Sequence, residues 1–83
     1  PEIYRFYGIV ITMYLPDHNP PHFHVAKMDR ATIDIQSGMV KGEMPRRALH
    51  LVFEWLDKHK EELMNNWKRM ENGETLVKIN PLD

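Results

Sequence analysis

Residues 31–56 read ATIDIQSGMVKGEMPRRALHLVFEWL, and within them the hydrophobic period changes. Ala31, Ile33 and Ile35 alternate with Thr32, Asp34 and Gln36, the two-residue repeat of a half-buried antiparallel strand. Ser37-Gly38 turns the chain, and Met39 to Lys41 allows a short further strand before Gly42. From Pro45 the repeat lengthens to about three and a half residues. Leu49, Val52, Phe53, Leu56, Leu63, Trp67 and Met70 then form one amphipathic stripe. Pro45 suits the first helical position, and Asn72-Gly73 supplies a stop. Neither Gly nor Pro interrupts the pattern between them, so it predicts one long helical region with a bend near His59, where the stripe is weakest.

Upstream, Ile3 to Tyr14 is rich in β-branched and aromatic residues and reads as a first strand, with Ile9, Ile11 and Met13 on one face. Pro16-Asp17-His18-Asn19-Pro20-Pro21 closes it as a loop. His22 to Lys27 follows as a strand that turns Phe23 and Val25 one way and both its histidines the other. Downstream, Thr75 to Ile79 allows a last edge strand, ended by Asn80-Pro81. The expected fold is therefore α+β: a small antiparallel sheet of three to four strands, covered on one face by a long or bent C-terminal helical region. On the helix, Trp67 lies in the stripe and is expected in the core. Trp55 lies off its centre and is expected to be partly exposed, with His50 and His59 solvated.

A chain of 83 residues holds one core, so residues 1–83 form a single domain of modest stability. It has no cysteine, which excludes disulfides, thiolate metal sites and cysteine nucleophiles. The longest apolar run, Ile9 to Leu15, is interrupted by Thr12 and falls far short of the roughly 20 residues a membrane span needs. With no leader-like opening and no cysteine, the expected location is the cytoplasm. A net charge of −1 argues against strong nonspecific binding to nucleic acid, whose affinity comes mainly from neutralised phosphates.

Three of the five histidines, His18, His22 and His24, fall within seven residues. Two prolines limit the loop's freedom, and the strand sets His22 and His24 side by side with His18 free to approach. Three uses compete. His22 and His24 with His18 or Asp17 are a ligand set for zinc or another divalent ion. Alternatively, two imidazoles divide base and acid roles in cleaving a phosphodiester, with Arg46 or Arg47 as the cation beside the transition state. The plainest use is structural: the histidines cap loop carbonyls or form a polar contact surface. No cofactor other than a divalent metal is expected.

The chain resembles a known family through Pro1-Glu2-Ile3, Arg5-Phe6 and Gly8, then Met13-Tyr14 and Asp17-His18-Asn19-Pro20-Pro21-His22-Phe23-His24-Val25. Gly42-Glu43-Met44-Pro45-Arg46-Arg47-Ala48-Leu49, Glu54-Trp55-Leu56, Glu61-Glu62-Leu63 and Asn66-Trp67 complete the likeness. It is similar to the small bacterial domain-of-unknown-function family 4160 over almost its whole length. Many members are encoded beside a second small protein, which implies a type II toxin-antitoxin pair with this family as the toxin. The resemblance thus implies a cognate antitoxin-like partner. By analogy with other small toxins, it also implies RNA as the substrate.

Overall fold

A computed structural model describes residues 1–80. Five strands, β1 (Glu2–Phe6), β2 (Ile9–Thr12), β3 (His22–Ala26), β4 (Arg30–Asp34) and β5 (Val40–Gly42), precede one helix, α1 (Arg46–Glu71). The strands form an antiparallel meander in the order β1-β2-β3-β4-β5. The architecture is the expected α+β arrangement with one strand more than expected, because the stretch from Ile3 to Tyr14 is a hairpin and not a single strand. Phe6 pairs with Ile9 across a two-residue loop in which Tyr7 (φ 49°) and Gly8 (φ 75°) both have positive φ. That is the condition for the tight turn whose twist matches a hairpin, and Gly8 meets it without a side-chain penalty. Apolar continuity across Tyr7-Gly8 concealed the break.

Alternation along the strands decides the two faces. Ile9, Ile11, Phe23, Val25, Ile33 and Ile35 are buried and, with Met13 and Ile3, form one core with the helix, and Ala31 is buried on the same face. A bulge in β1 between Glu2 and Tyr4 brings Ile3 into the core and sets Tyr4 against Trp55, ring centres 5.1 Å apart. The other face is polar and uncovered by α1. In register across it stand Thr12 on β2, His24 on β3, Thr32 on β4 and Lys41 on β5. Gly42 ends β5 where only a glycine fits, since a Cβ there would lie 2.6 Å from the Arg30 carbonyl oxygen.

α1 breaks at His59 (φ −122°, ψ 16°), where the bend was expected. A straight helix of its 26 residues would run about 39 Å, longer than the 34 Å long axis of the fold, so the break keeps both arms against the sheet. Its buried face is Ala48, Val52, Trp55, Leu56 and His59, then Leu63, Asn66, Trp67 and Met70. The stripe thus runs through Trp55 and His59, and two expectations fail. Trp55 is only 5% exposed and His59 only 3%, neither partly exposed nor solvated. His59 is tolerated inside because its Nδ1 meets Glu62 Oε1 at 2.5 Å and its ring packs on Tyr4 and Trp55.

The tail from Thr75 to Ile79 is not the edge strand that its composition allowed. The Ile79 N–H reaches β1, donating to the Ile3 carbonyl at 3.0 Å. Between them Val77 is held by a side chain: Asn66 donates to the Val77 carbonyl at 2.8 Å and accepts from its N–H at 2.9 Å. One amide thereby replaces the ladder partner. The stop expected at Pro81 lies outside the described residues. No helix among them is long and apolar enough to cross a membrane.

Candidate functional site

The loop between β2 and β3 bends over one end of the uncovered face, and the core holds it there. Trp67, buried on α1, donates its indole N–H to Asn19 Oδ1 at 3.2 Å and lays its ring 5.2 Å from that of His22. The Ile35 N–H donates to the Pro21 carbonyl at 3.0 Å, tying the loop's far end to the chain just beyond β4. Asp17 is carried inward, its side chain 13% exposed. Met13 is buried in the core while the next residue, Tyr14, is half exposed and sets its ring edgewise on His24, centres 4.6 Å apart.

Three polar atoms converge as a result. Asp17 Oδ2 lies 2.9 Å from His22 Nε2 and 3.3 Å from His24 Nε2, and all three lie within 4.8 Å of one another. The other nitrogen of His22, Nδ1, is 2.8 Å from the Pro20 carbonyl oxygen. A carbonyl only accepts, so Nδ1 carries a hydrogen and Nε2 is the atom turned to the carboxylate. For Asp17, burial raises the carboxyl pKa, but the His18 N–H, the hydrogen bond to His24 and the nearby His22 and His24 outweigh it, leaving the group below the ordinary carboxylate value. Asp17 is therefore an anion between two imidazoles.

A groove of about 290 Å³ opens in front of this cluster, lined by Asp17, His18, His22, His24, Thr32, Asp34 and Lys41 together with Pro20 and Met39. The structure brings His22 and His24 together, with Asp17 as the third member. His18 lies at the groove's edge with its side chain 92% exposed, its Nδ1 3.3 Å from the other Asp17 oxygen, Oδ1. Arg46 and Arg47 do not line the groove. They sit exposed at the start of α1, while the cation in the lining is Lys41.

Lys41, Thr32 and Asp34 were the residues missed. Each lies on a strand, and Thr32 and Asp34 were placed opposite the core face, but only the pairing of β3 with β4 and of β4 with β5 sets them beside the histidines. Thr32 stands between His24 and Lys41 in one row, and Asp34 is paired with His22. A larger hollow, about 390 Å³, lies between the end of α1 and the tail and is lined by Glu62, Lys68, Arg69 and Lys78 among others. Arg69 there is engaged by Glu74 and the Thr75 carbonyl. The smaller groove holds the convergent chemistry and is the candidate site.

Comparison with known families finds one described as a domain of unknown function (DUF4160), which matches residues 8–68. The match takes in the histidine loop, Lys41 and Trp67. No curated protein and no solved structure matches the chain.

Proposed function

From a chain that belongs to the domain-of-unknown-function family 4160, with its polar groups gathered at one end of an uncovered sheet face, we propose the toxin component of a toxin-antitoxin pair, cleaving RNA in the groove above Asp17, His22 and His24. The observation that carries this reading is the convergence of both Nε2 atoms on one oxygen of Asp17, with Thr32 and Lys41 in the next two places along the same row. Hydrolysis of a phosphodiester forms a bond from water oxygen to phosphorus and breaks the bond to the leaving ribose oxygen, which takes up the proton that water gives away. The attacking oxygen needs a group that makes it nucleophilic near neutral pH, and the cluster is the place for it. Charge building on the phosphate oxygens needs a fixed cation, which Lys41 supplies, and a hydroxyl donor, which Thr32 supplies.

The antitoxin in this reading acts by covering the groove. Its rim favours such contact: Tyr14 (48% exposed) and Met39 (65%) present apolar surface beside the histidines. The same rim supports a second reading, a noncatalytic module that binds a partner protein through this end of the sheet.

Expression of the wild type and of a His22→Ala, His24→Ala double variant in bacterial cells separates the two, together with incubation of each purified protein with RNA. The wild type is expected to arrest growth and cut RNA, and the folded double variant to do neither. Equal growth arrest by both removes the histidines from the mechanism, and no RNA cleavage by the wild type overturns the RNA-cleaving reading in favour of the binding module.

A further inference from the structure

We propose that Asp17, His22 and His24 form a binding site for one divalent first-row transition-metal ion, ligated by Asp17 Oδ2, His22 Nε2 and His24 Nε2, with its remaining positions open to the groove. The proposal deepens the functional reading above by naming what occupies the cluster, but the geometry that carries it does not depend on RNA being the substrate.

The first support is distance. Imidazole and carboxylate ligands sit about 2.0–2.2 Å from zinc, so neighbouring ligand atoms on one ion lie about 2.9–3.5 Å apart, from octahedral to tetrahedral angles. Two of the three separations here are 2.9 Å and 3.3 Å. The third is at most 4.8 Å, and His24, with a side chain 32% exposed, has room to turn its ring toward an ion.

The second support is the orientation of His22. With Nδ1 donating to the Pro20 carbonyl, Nε2 is the atom turned to the carboxylate oxygen 2.9 Å away. A positive charge shared by the two atoms, a proton or a metal ion, holds them at that distance. A backbone carbonyl fixing the far nitrogen is also the usual outer support of a metal-bound histidine, because it sets the tautomer and aims the ring. The prolines and the Trp67 to Asn19 hydrogen bond hold that carbonyl and Asp17 in place before any ion arrives.

The third support is charge. Two carboxylates, Asp17 and Asp34, face a single ammonium, that of Lys41, across the groove. A polyanionic substrate meets a groove of its own sign there, and a divalent ion reverses that sign. A set of two imidazoles and one carboxylate without thiolate suits zinc, iron(II), cobalt(II) or manganese(II) better than calcium, which takes oxygen ligands throughout.

The test uses the full chain without a histidine tag, freed of metal by chelator and dialysis. Cobalt(II) serves as the optical probe and zinc as the calorimetric one. One equivalent of each is expected to bind, cobalt with visible absorption bands of a nitrogen and oxygen site. Losing a support outside the ligand shell costs about 10–100-fold in affinity, so His22→Ala and Asp17→Ala, shown folded by circular dichroism, are expected to lose 100-fold or more. His50→Ala, remote from the cluster, is the control for adventitious histidine binding and keeps wild-type affinity. Absence of stoichiometric binding, or equal loss in the His50 variant, overturns the ion site. RNA cleavage that persists in chelator overturns it as the activating group while leaving the RNA reading intact. One bound equivalent in a protein that never cuts RNA retains the ion site and removes the RNA reading.

Discussion

Asp34 shows how one side chain can serve both the fold and the site. Its Oδ1 accepts from the N–H groups of Gln36 at 2.9 Å and Ser37 at 2.8 Å, shaping the turn that leads into β5 and so setting where Lys41 falls. The Ser37 N–H is the main reason its carboxyl sits below the ordinary value. Partial burial opposes this, and the Gln36 N–H, the Ser37 hydroxyl and His22 add to it. A carboxyl with a lowered folded pKa stabilises the protein above the ordinary carboxylate value, and that contribution is lost as pH falls through the folded value. Asp34→Ala is therefore expected to cost about 1–2 kcal/mol at pH 7, for two charge-assisted bonds to backbone. The gap should close in acid, as urea titrations at pH 7 and pH 3 would show; an equal gap at both pH values would contradict this origin. The same residue marks where sequence reading stopped. Alternation placed Thr32 and Asp34 opposite Ile33 on β4, but no local pattern states which residue of β3 or β5 stands across from them. Lys41 was consequently passed over in favour of Arg46 and Arg47, whose position at a helix start was visible without any pairing.

Among the elements, those with a strong period were legible and those held by single contacts were not. The switch from Ile33-Asp34-Ile35 to the helical stripe gave the layer order, and the stripe's weak point gave the break at His59. Trp55 was misplaced because a stripe drawn through Leu49, Val52, Phe53 and Leu56 leaves it off centre, and His59 because it falls where that stripe is weakest; both occupy the same 52-55-56-59 face as Val52 and Leu56. The tail was misread for a different reason. Thr75-Leu76-Val77-Lys78-Ile79 has strand composition, yet Asn66, a residue with no apparent place in an apolar stripe, takes the role of its neighbour. Asn66→Ala should remove both bonds to Val77 and cost about 2 kcal/mol. Hydrogen exchange is the informative measurement: the Val77 and Ile79 amides should lose protection while those of β2 and β3 keep theirs. Uniform loss across the sheet would mean that the tail does not open by itself.

For the whole molecule, size and site are linked. A domain this small buries a limited core, and its candidate site is assembled from β3, β4, β5 and the loop before β3, with α1 bracing that loop from the opposite side of the sheet. An ion that binds only the folded chain therefore acts on global stability. At a free concentration 100 times its dissociation constant it contributes about 2.7 kcal/mol, which for a domain of this length corresponds to about 10 °C or more in Tm. Thermal melts of the chelated protein with and without zinc are expected to show that rise, and to show only a small fraction of it in His22→Ala; an equal rise in the variant would place the ion elsewhere. Trp67 offers a way to watch the same event directly. Its indole, buried at 2% exposure with its ring 5.2 Å from His22, is an intrinsic fluorophore in contact with the site, whereas Trp55 packs against Tyr4 and His59 at the helix break. The emission of one tryptophan can thus report what happens at the histidines against the steady background of the other, with no label attached.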